Sequence, residues 1–344
     1  MSALVLQALF SGVLIGSIYA MVALGLALAF GAVFVSPGVT PVLAAEAGTY
    51  LLPAPASLPA FGPWMVAKAR GYYADEGLDV TFQAAKGGVD VAKQVGAGNA
   101  PVGGAIGDTS ILVRTNGVPV KAVAVLGGHS LTQLVLDTSK AKTIKELKGK
   151  TVTTMAYQDT TYFSLLGMLA SQGMSKDDVS AQAVGPVNVW KLFAAGQADA
   201  MAAVPDWIQF ATEQNKDLKL EIIPSDTYFK SMAQAIIASD ETIAKKPELV
   251  KKLVRATLKG MKAIMDDPKA AAVDYVKAVP ETAGREAAMT EVFKLYVKYV
   301  YADQKVIGEI DEKRLSDLQD FYLAQGIIRE KTPIADLYTN QFVK

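Results

Sequence analysis

The stretch WMVAKARGYYADEGLDVTF, residues 64–82, decides how this chain is to be folded. An apolar-faced segment runs into Gly71, Tyr72 and Tyr73. An acidic turn closed by Gly77 follows, and then residues 78–82 alternate apolar and polar side chains. Helical spacing giving way to a period of two marks a helix crossing over into a strand. The same alternation continues outward on both sides. Residues 49–52 read as a strand before a Pro/Ser-rich loop, and 61–73 as a helix. Residues 87–98, 108–117, 143–148, 160–173, 187–196 and 205–214 read as further helices. Strands fall at 78–82, 100–106, 118–128, 151–156, 179–184, 198–204, 218–223 and 232–239. Strands alternating with short helices predict an α/β architecture with largely parallel sheets. After Asp240 only helical spacing remains: Val250, Leu253, Val254, Met261, Ile264 and Met265, then Val292, Leu295, Tyr296 and Tyr299, then a last helix over 311–323.

Composition closes several routes. Lys plus Arg and Asp plus Glu are 34 each, so no charge excess points to nucleic acid. Without cysteine there are no disulfides, thiolate zinc sites, iron–sulfur clusters, thiol nucleophiles or cysteine-linked lipid anchor. His129 is the single histidine, which excludes multi-histidine metal sites. Neither a GxxxxGK[ST] phosphate loop nor a GxSxG elbow occurs, and Gly87-Gly88 lacks the setting of a dinucleotide fingerprint. No metal and no cofactor are expected.

Charge is distributed unevenly. The first acid is Glu46 and the first base Lys68, and residues 3–35 are apolar apart from Gln7, Ser11 and Ser17 among the plainly polar types. Such a run is long enough to span a bilayer, and the small residues of SPGVTPVLAAEA offer a cleavage site after Ala44 or Ala45. Residues 1–45 are therefore read as a signal sequence or an N-terminal membrane anchor, with the remainder periplasmic or held at the inner membrane. QALFSGVLIGSIYAMVALGLALAFG, residues 7–31, resembles the first transmembrane helix of a branched-chain amino acid permease, so a fusion or a misassigned start is a further reading.

The charged portion resembles a known family. Trp64, Ala67-Lys68, Gly71-Tyr72-Tyr73 and EGLDV (76–80) look like the first helix and second strand of periplasmic solute-binding proteins. The group is the one that imports alkanesulfonates, taurine, nitrate or thiamine-pyrimidine precursors through ABC transporters. GVPV (117–120), TIKELKGK (143–150) and GQADA (196–200) resemble further family motifs in the expected order, over roughly 48–267. The resemblance implies an α/β, two-lobed type II periplasmic-binding-protein fold with a double crossover hinge and a helical C-terminal tail. Lobe one would comprise 48–132 and 234–344, and lobe two 133–233.

Open α/β sheets bind ligands beyond their strand ends, which selects four loops and one strand end. The candidates are Ser57, Phe61 and Trp64; Lys86; Gly107, Asp108 and Thr109; Tyr157, Asp159 and Thr160; and Asp206 with Trp207. Asp108 or Thr109 and Asp159 or Thr160 have an equally good local role as helix caps. An aspartate facing the ligand would oppose an anion and favour a neutral or amino-bearing molecule. Phe61, Trp64, Tyr157 and Trp207 would stack on a flat ring. Trp190 reads as core, Arg114 as solvated and Lys251, Lys252 and Lys262 as a wet helix face. His129 reads as a hinge or surface residue, with ligand contact as the lesser alternative.

The expected function is capture of a small organic ligand, aromatic or pyrimidine-like, by hinge closure, and its delivery to the permease and ATPase of an ABC importer. The alternatives are an alkanesulfonate, taurine or other small-anion binder, and a membrane-tethered sensing domain. A pyrimidine synthase, the enzymatic branch of the resemblance, depends on a cysteine-rich iron motif that a cysteine-free chain lacks.

Overall fold

The computed structural model describes residues 46–157 and 159–343. The N-terminal apolar run and the readings placed on it lie outside the described residues. The opening stretch folds as a crossover. Helix α1 (Gly62–Ala69) ends before Gly71, one helical turn spans Tyr72–Asp75, and Gly77 leads into β2 (Leu78–Ala84). Gly71 and Gly77 have φ of 74° and 73°, the left-handed backbone that a side chain disfavours, so both reversals need glycine.

Two five-stranded sheets result. The first has the order β2-β1-β3-β10-β4, with β1 at Glu46–Leu52, β3 at Val102–Ile106, β4 at Val120–Val125 and β10 at Gln234–Ser239. The second has the order β7-β6-β8-β5-β9. It is built from β5 (Gln133–Asp137), β6 (Thr151–Thr154), β7 (Ser180–Ala183), β8 (Ala200–Ala203) and β9 (Leu220–Pro224). Helices α2 (Gly88–Gly96) and α3 (Thr109–Arg114) serve the first sheet, and α4 (Thr160–Ser171), α5 (Pro186–Ala194) and α6 (Pro205–Gln214) the second. The architecture is the two-lobed α/β arrangement with a helical C-terminal region.

The sheets are mixed rather than largely parallel. β10 runs antiparallel to both β3 and β4, and β5 antiparallel to both β8 and β9. Each is the strand the chain lays down immediately after passing from one sheet to the other, so it enters its new sheet reversed. β5 is also the strand that periodicity does not single out. Every residue of it is buried, which removes the in/out alternation by which a half-exposed strand is recognised.

The C-terminal helices cover the lobes. α7 (Asp240–Lys245) follows β10, α8 (Pro247–Asp266) packs on α1, and α9 (Pro268–Ala278) packs on α1 and α10 (Glu286–Tyr296). α10 also reaches α6 of the second lobe, and α11 (Glu312–Ala324) is the last long helix. One apolar core runs from Tyr50, Trp64 and Ile236 to Phe163, Phe193 and Trp207, so it crosses the junction of the lobes. Fully burying each large apolar side chain contributes about 1.5–3 kcal/mol.

Candidate functional site at the lobe junction

Asp108 sits just before α3 and is fully buried, yet its side chain makes no hydrogen bond to its own helix. Its carboxylate instead accepts from Thr160 Oγ1 at 3.2 Å, across the junction, and from the Tyr322 hydroxyl on α11. The Tyr322 ring meets Phe163 of α4 edge-on at 5.4 Å. Burial pushes the Asp108 carboxyl up to about 6, against the lowering effect of the Tyr322 and Thr160 hydroxyls.

Asp206 forms a second such point. It lies in the first turn of α6, whose Pro205 occupies the early position where a missing N–H costs nothing. Its Oδ1 accepts from the buried Tyr296 hydroxyl at 2.7 Å, and burial pushes its carboxyl up to about 6 as well. Tyr296 stacks on Tyr301 with ring centres 5.4 Å apart, and the Tyr301 hydroxyl is buried without a partner. Burial raises Tyr296 and Tyr322 well above the ordinary phenol range, so both remain donors.

The structure thus brings Asp108, Thr160 and Asp206 to the junction, with Thr109 beside Asp108. Thr109 is buried, and its Oγ1 accepts from the Ile106 amide at 3.3 Å. Gly107 packs against Met232 of the second crossing. Phe61 is buried in the turn 59–61, which rests on α6, and the Ser57 carbonyl accepts from the Tyr275 hydroxyl.

Other expected residues stand elsewhere. Asp159 caps its own helix: its Oδ1 accepts from the Thr161 amide at 2.9 Å and the Thr161 hydroxyl at 2.6 Å. Trp64 lies in the core, edge-on to Tyr50 and Phe61. Trp207 is buried in that same core. Tyr157 is 54% exposed; its hydroxyl donates to the Ala181 carbonyl on β7 and its ring meets Tyr162, so it does not join Trp207. Lys86 is exposed, its amide bonded to Asp90. Arg114 is not solvated. It donates to the Val120 carbonyl and both Asp240 oxygens, because α3 ends against the start of α7. Trp190 is half-buried against Phe210.

Tyr296, Tyr301 and Tyr322 escape sequence reasoning because helical spacing assigns them to apolar faces. The available signal is chemical: a tyrosine on such a face carries a hydroxyl that needs a partner once buried. An open groove of about 270 Å³ on α8, lined by Lys251, Arg255, Lys259, Phe342 and others, shares no residue with the junction.

Residues 58–271 match the NMT1/THI5 like family, and the chain belongs to it. It is 26% identical over 298 residues to the riboflavin-binding protein RibY of Chloroflexus aurantiacus, covering 82% of each chain. A 4-amino-5-hydroxymethyl-2-methylpyrimidine phosphate synthase of Aspergillus parasiticus is 24% identical over 235 residues, covering 64% of this chain and 68% of its own. The fold matches that of the periplasmic aliphatic sulphonate-binding protein SsuA of Escherichia coli, with a TM-score of 0.68 at 14% identity, covering 86% of this chain and 93% of that one.

Proposed function

We propose that the protein is an extracytoplasmic solute-binding protein that captures a planar, N–H-bearing heterocycle of the pyrimidine or flavin class between its lobes and hands it to an ABC importer. The observation that carries this reading is the pair of buried carboxylates, Asp108 and Asp206, each facing a tyrosine hydroxyl at the lobe junction. A carboxylate accepts hydrogen bonds and repels anions, so it selects imide or amino N–H groups. Two cations that an anionic ligand would call on are otherwise engaged or exposed: Arg114 is bound to Asp240, and Lys86 faces solvent. The name of the Chloroflexus relative, a riboflavin-binding protein, agrees with a flat ring system.

Capture proceeds by hinge closure, with contacts made only in the closed state supplying the differential affinity. Micromolar binding corresponds to about 8 kcal/mol. Among the described residues no helix is long and apolar enough to cross a membrane. Export and any anchoring rest on the apolar sequence before Glu46. Against the synthase reading that other relatives' names suggest stand the absence of cysteine and the engagement of the single histidine by Asp226 and Asp303.

A thermal-shift panel of riboflavin, 4-aminopyrimidines, aromatic acids and alkanesulfonates on the full chain tests the proposal. Stabilisation by riboflavin or an aminopyrimidine is expected. Stabilisation by sulfonates alone sinks it in favour of a small-anion binder.

A further inference from the structure

The two passages between the lobes, residues 126–132 and 225–233, are both tied to a third piece of chain. Gly127 and Gly128 let the first lie directly on residues 300–303. A Cβ at either would fall 2.2 Å from the Val300 carbonyl oxygen or 2.3 Å from that of Ala302. The His129 amide completes the contact by donating to the Val300 carbonyl at 3.1 Å.

Arg314, on α11, then joins both passages. Its Nε donates to the Ser231 carbonyl at 2.5 Å and its Nη1 to the Gly128 carbonyl at 2.7 Å. The two Nη atoms hold the carboxylate of Asp226 in a fork at 2.8 and 2.6 Å, and Nη2 also reaches Ser130 Oγ at 3.1 Å. The Arg314 side chain is only 10% exposed, so these bonds form largely out of solvent. Burial works to raise the Asp226 carboxyl, but the hydrogen bonds and charge of Arg314 outweigh it and hold the group below the usual carboxylate range.

His129 completes the cluster. Its Nδ1 lies 3.0 Å from Asp226 and its Nε2 2.9 Å from Asp303. Asp303 has φ of 62°, the one non-glycine residue with positive φ among those described, and this backbone delivers its carboxylate to the ring. Carboxylates at both nitrogens require both to donate, which only the imidazolium does.

We propose that Arg314, Asp226 and His129 are the positioning clasp of the hinge, binding both passages to the C-terminal segment and making the closed setting depend on protonation of the single histidine. The proposal rests on the hinge-closure reading of function. The charged groups facing the ring are Asp226 from the second passage and Asp303 from the 300–303 segment, with Arg314 of α11 behind Asp226. With the imidazolium these four charges cancel; without it the cluster carries one net negative charge. Deprotonation turns one ring lone pair toward a carboxylate. Asp226 keeps Arg314 and Ser130, so the bond that breaks is the one to Asp303, whose side chain is 80% exposed. That loosens residues 300–303, still held at the Val300 carbonyl, which continue from the Tyr296 that grips Asp206 in the second lobe. The lobes meet here through Thr160 and Asp108 while both ring nitrogens face carboxylates, so the charged ring favours this closed setting and the neutral ring weakens it.

The absence of cysteine allows clean labelling. Spin labels at Lys93→Cys and Lys176→Cys, exposed positions in the first and second lobes, report the interlobe distance in the full chain without ligand. The wild type is expected to raise its closed population about threefold between about pH 8 and about pH 5. Its midpoint should track the single imidazole resonance by NMR. His129→Gln should be flat in pH, Arg314→Lys should keep the pH response with a smaller closed fraction, and Arg314→Gln should give a broad distribution at both values. If Arg314→Gln does not fold, Asp303→Asn decides, with an unchanged melting temperature and no pH response expected. A wild type insensitive to pH, or a His129→Gln or Asp303→Asn protein that retains the response, overturns the proposal. Because no ligand is used, either result leaves the proposed ligand class to its own panel.

Discussion

Two helix starts in this protein look alike on paper and behave differently. α3 opens with Gly107-Asp108-Thr109 and α4 with Asp159-Thr160-Thr161. At α4 the aspartate turns onto its own helix and accepts from the amide and hydroxyl of Thr161. At α3 it turns away, leaves its helix uncapped and accepts from Thr160 and Tyr322. The difference lies in what stands opposite. Asp108 faces the other lobe and a tyrosine of α11, whereas Asp159 finds its donors two residues away. A cap is satisfied locally; a carboxylate that forgoes the cap holds its burial in reserve for a partner from far along the chain.

The sharpest way to break this comparison is to remove each carboxylate. Asp108→Ala is expected to weaken binding of the proposed heterocycle about a hundredfold, since hydrogen bonds to a charged group contribute about 1.5–3 kcal/mol. Asp159→Ala should leave binding within about twofold while costing about 1 kcal/mol of stability, the usual loss of an N-cap. Fluorescence titration and urea unfolding measure the two effects, and equal losses of affinity would erase the distinction.

A pH series sharpens it next. Asp108 and Asp206 are raised to about 6 in the folded protein. An acid raised on folding binds more protons folded than unfolded, so its contribution is fullest below the ordinary carboxylate range and is lost as pH rises through about 6. Each pH unit of difference corresponds to about 1.4 kcal/mol. Urea midpoints from about pH 4 to about pH 7 should fall less steeply in Asp108→Asn than in the wild type. An unchanged slope would mean that the carboxyl is hydrated.

Smaller effects test the donors. Tyr322→Phe should cost about 1–2 kcal/mol because it leaves a buried acceptor short of a bond. Tyr157→Phe, which alters an exposed hydroxyl on the edge strand, should stay within about 0.5 kcal/mol. Thr160→Val should reduce affinity for the proposed heterocycle about fivefold, a single hydroxyl being worth about 1 kcal/mol, with a smaller loss of stability than Tyr322→Phe. Thr161→Val should do the reverse, because its hydroxyl bonds Thr154 and Asp159 inside the second lobe.

Much of the fold is legible because helices and strands here write their spacing locally. The helix expected over 205–214 forms at Pro205–Gln214, and 64–82 folds as the crossover its glycines and alternation announce. β5 escapes because QLVLD is buried throughout and shows no alternation. The junction is legible only in part. Reasoning from strand ends finds Asp108, Thr160 and Asp206, but it also selects Trp64 and Trp207, whose rings pack into the core, and Tyr157, an exposed turn residue whose hydroxyl bonds the edge strand β7. An aromatic ring at a strand end carries no mark of the side it will face.

By itself, the sequence determined the order of most helices and strands, the exclusion of thiol and multi-histidine chemistry and the two-lobed class, because each follows from local periodicity, from composition or from motifs kept in order along the chain. Only the tertiary structure decided which aspartate caps and which reaches across, that the C-terminal helices supply Tyr296 and Tyr322, and that Arg314 closes on both passages. The bonds of Asp108 alone join residues 52 and 214 positions apart, and no local pattern encodes a partner at that distance.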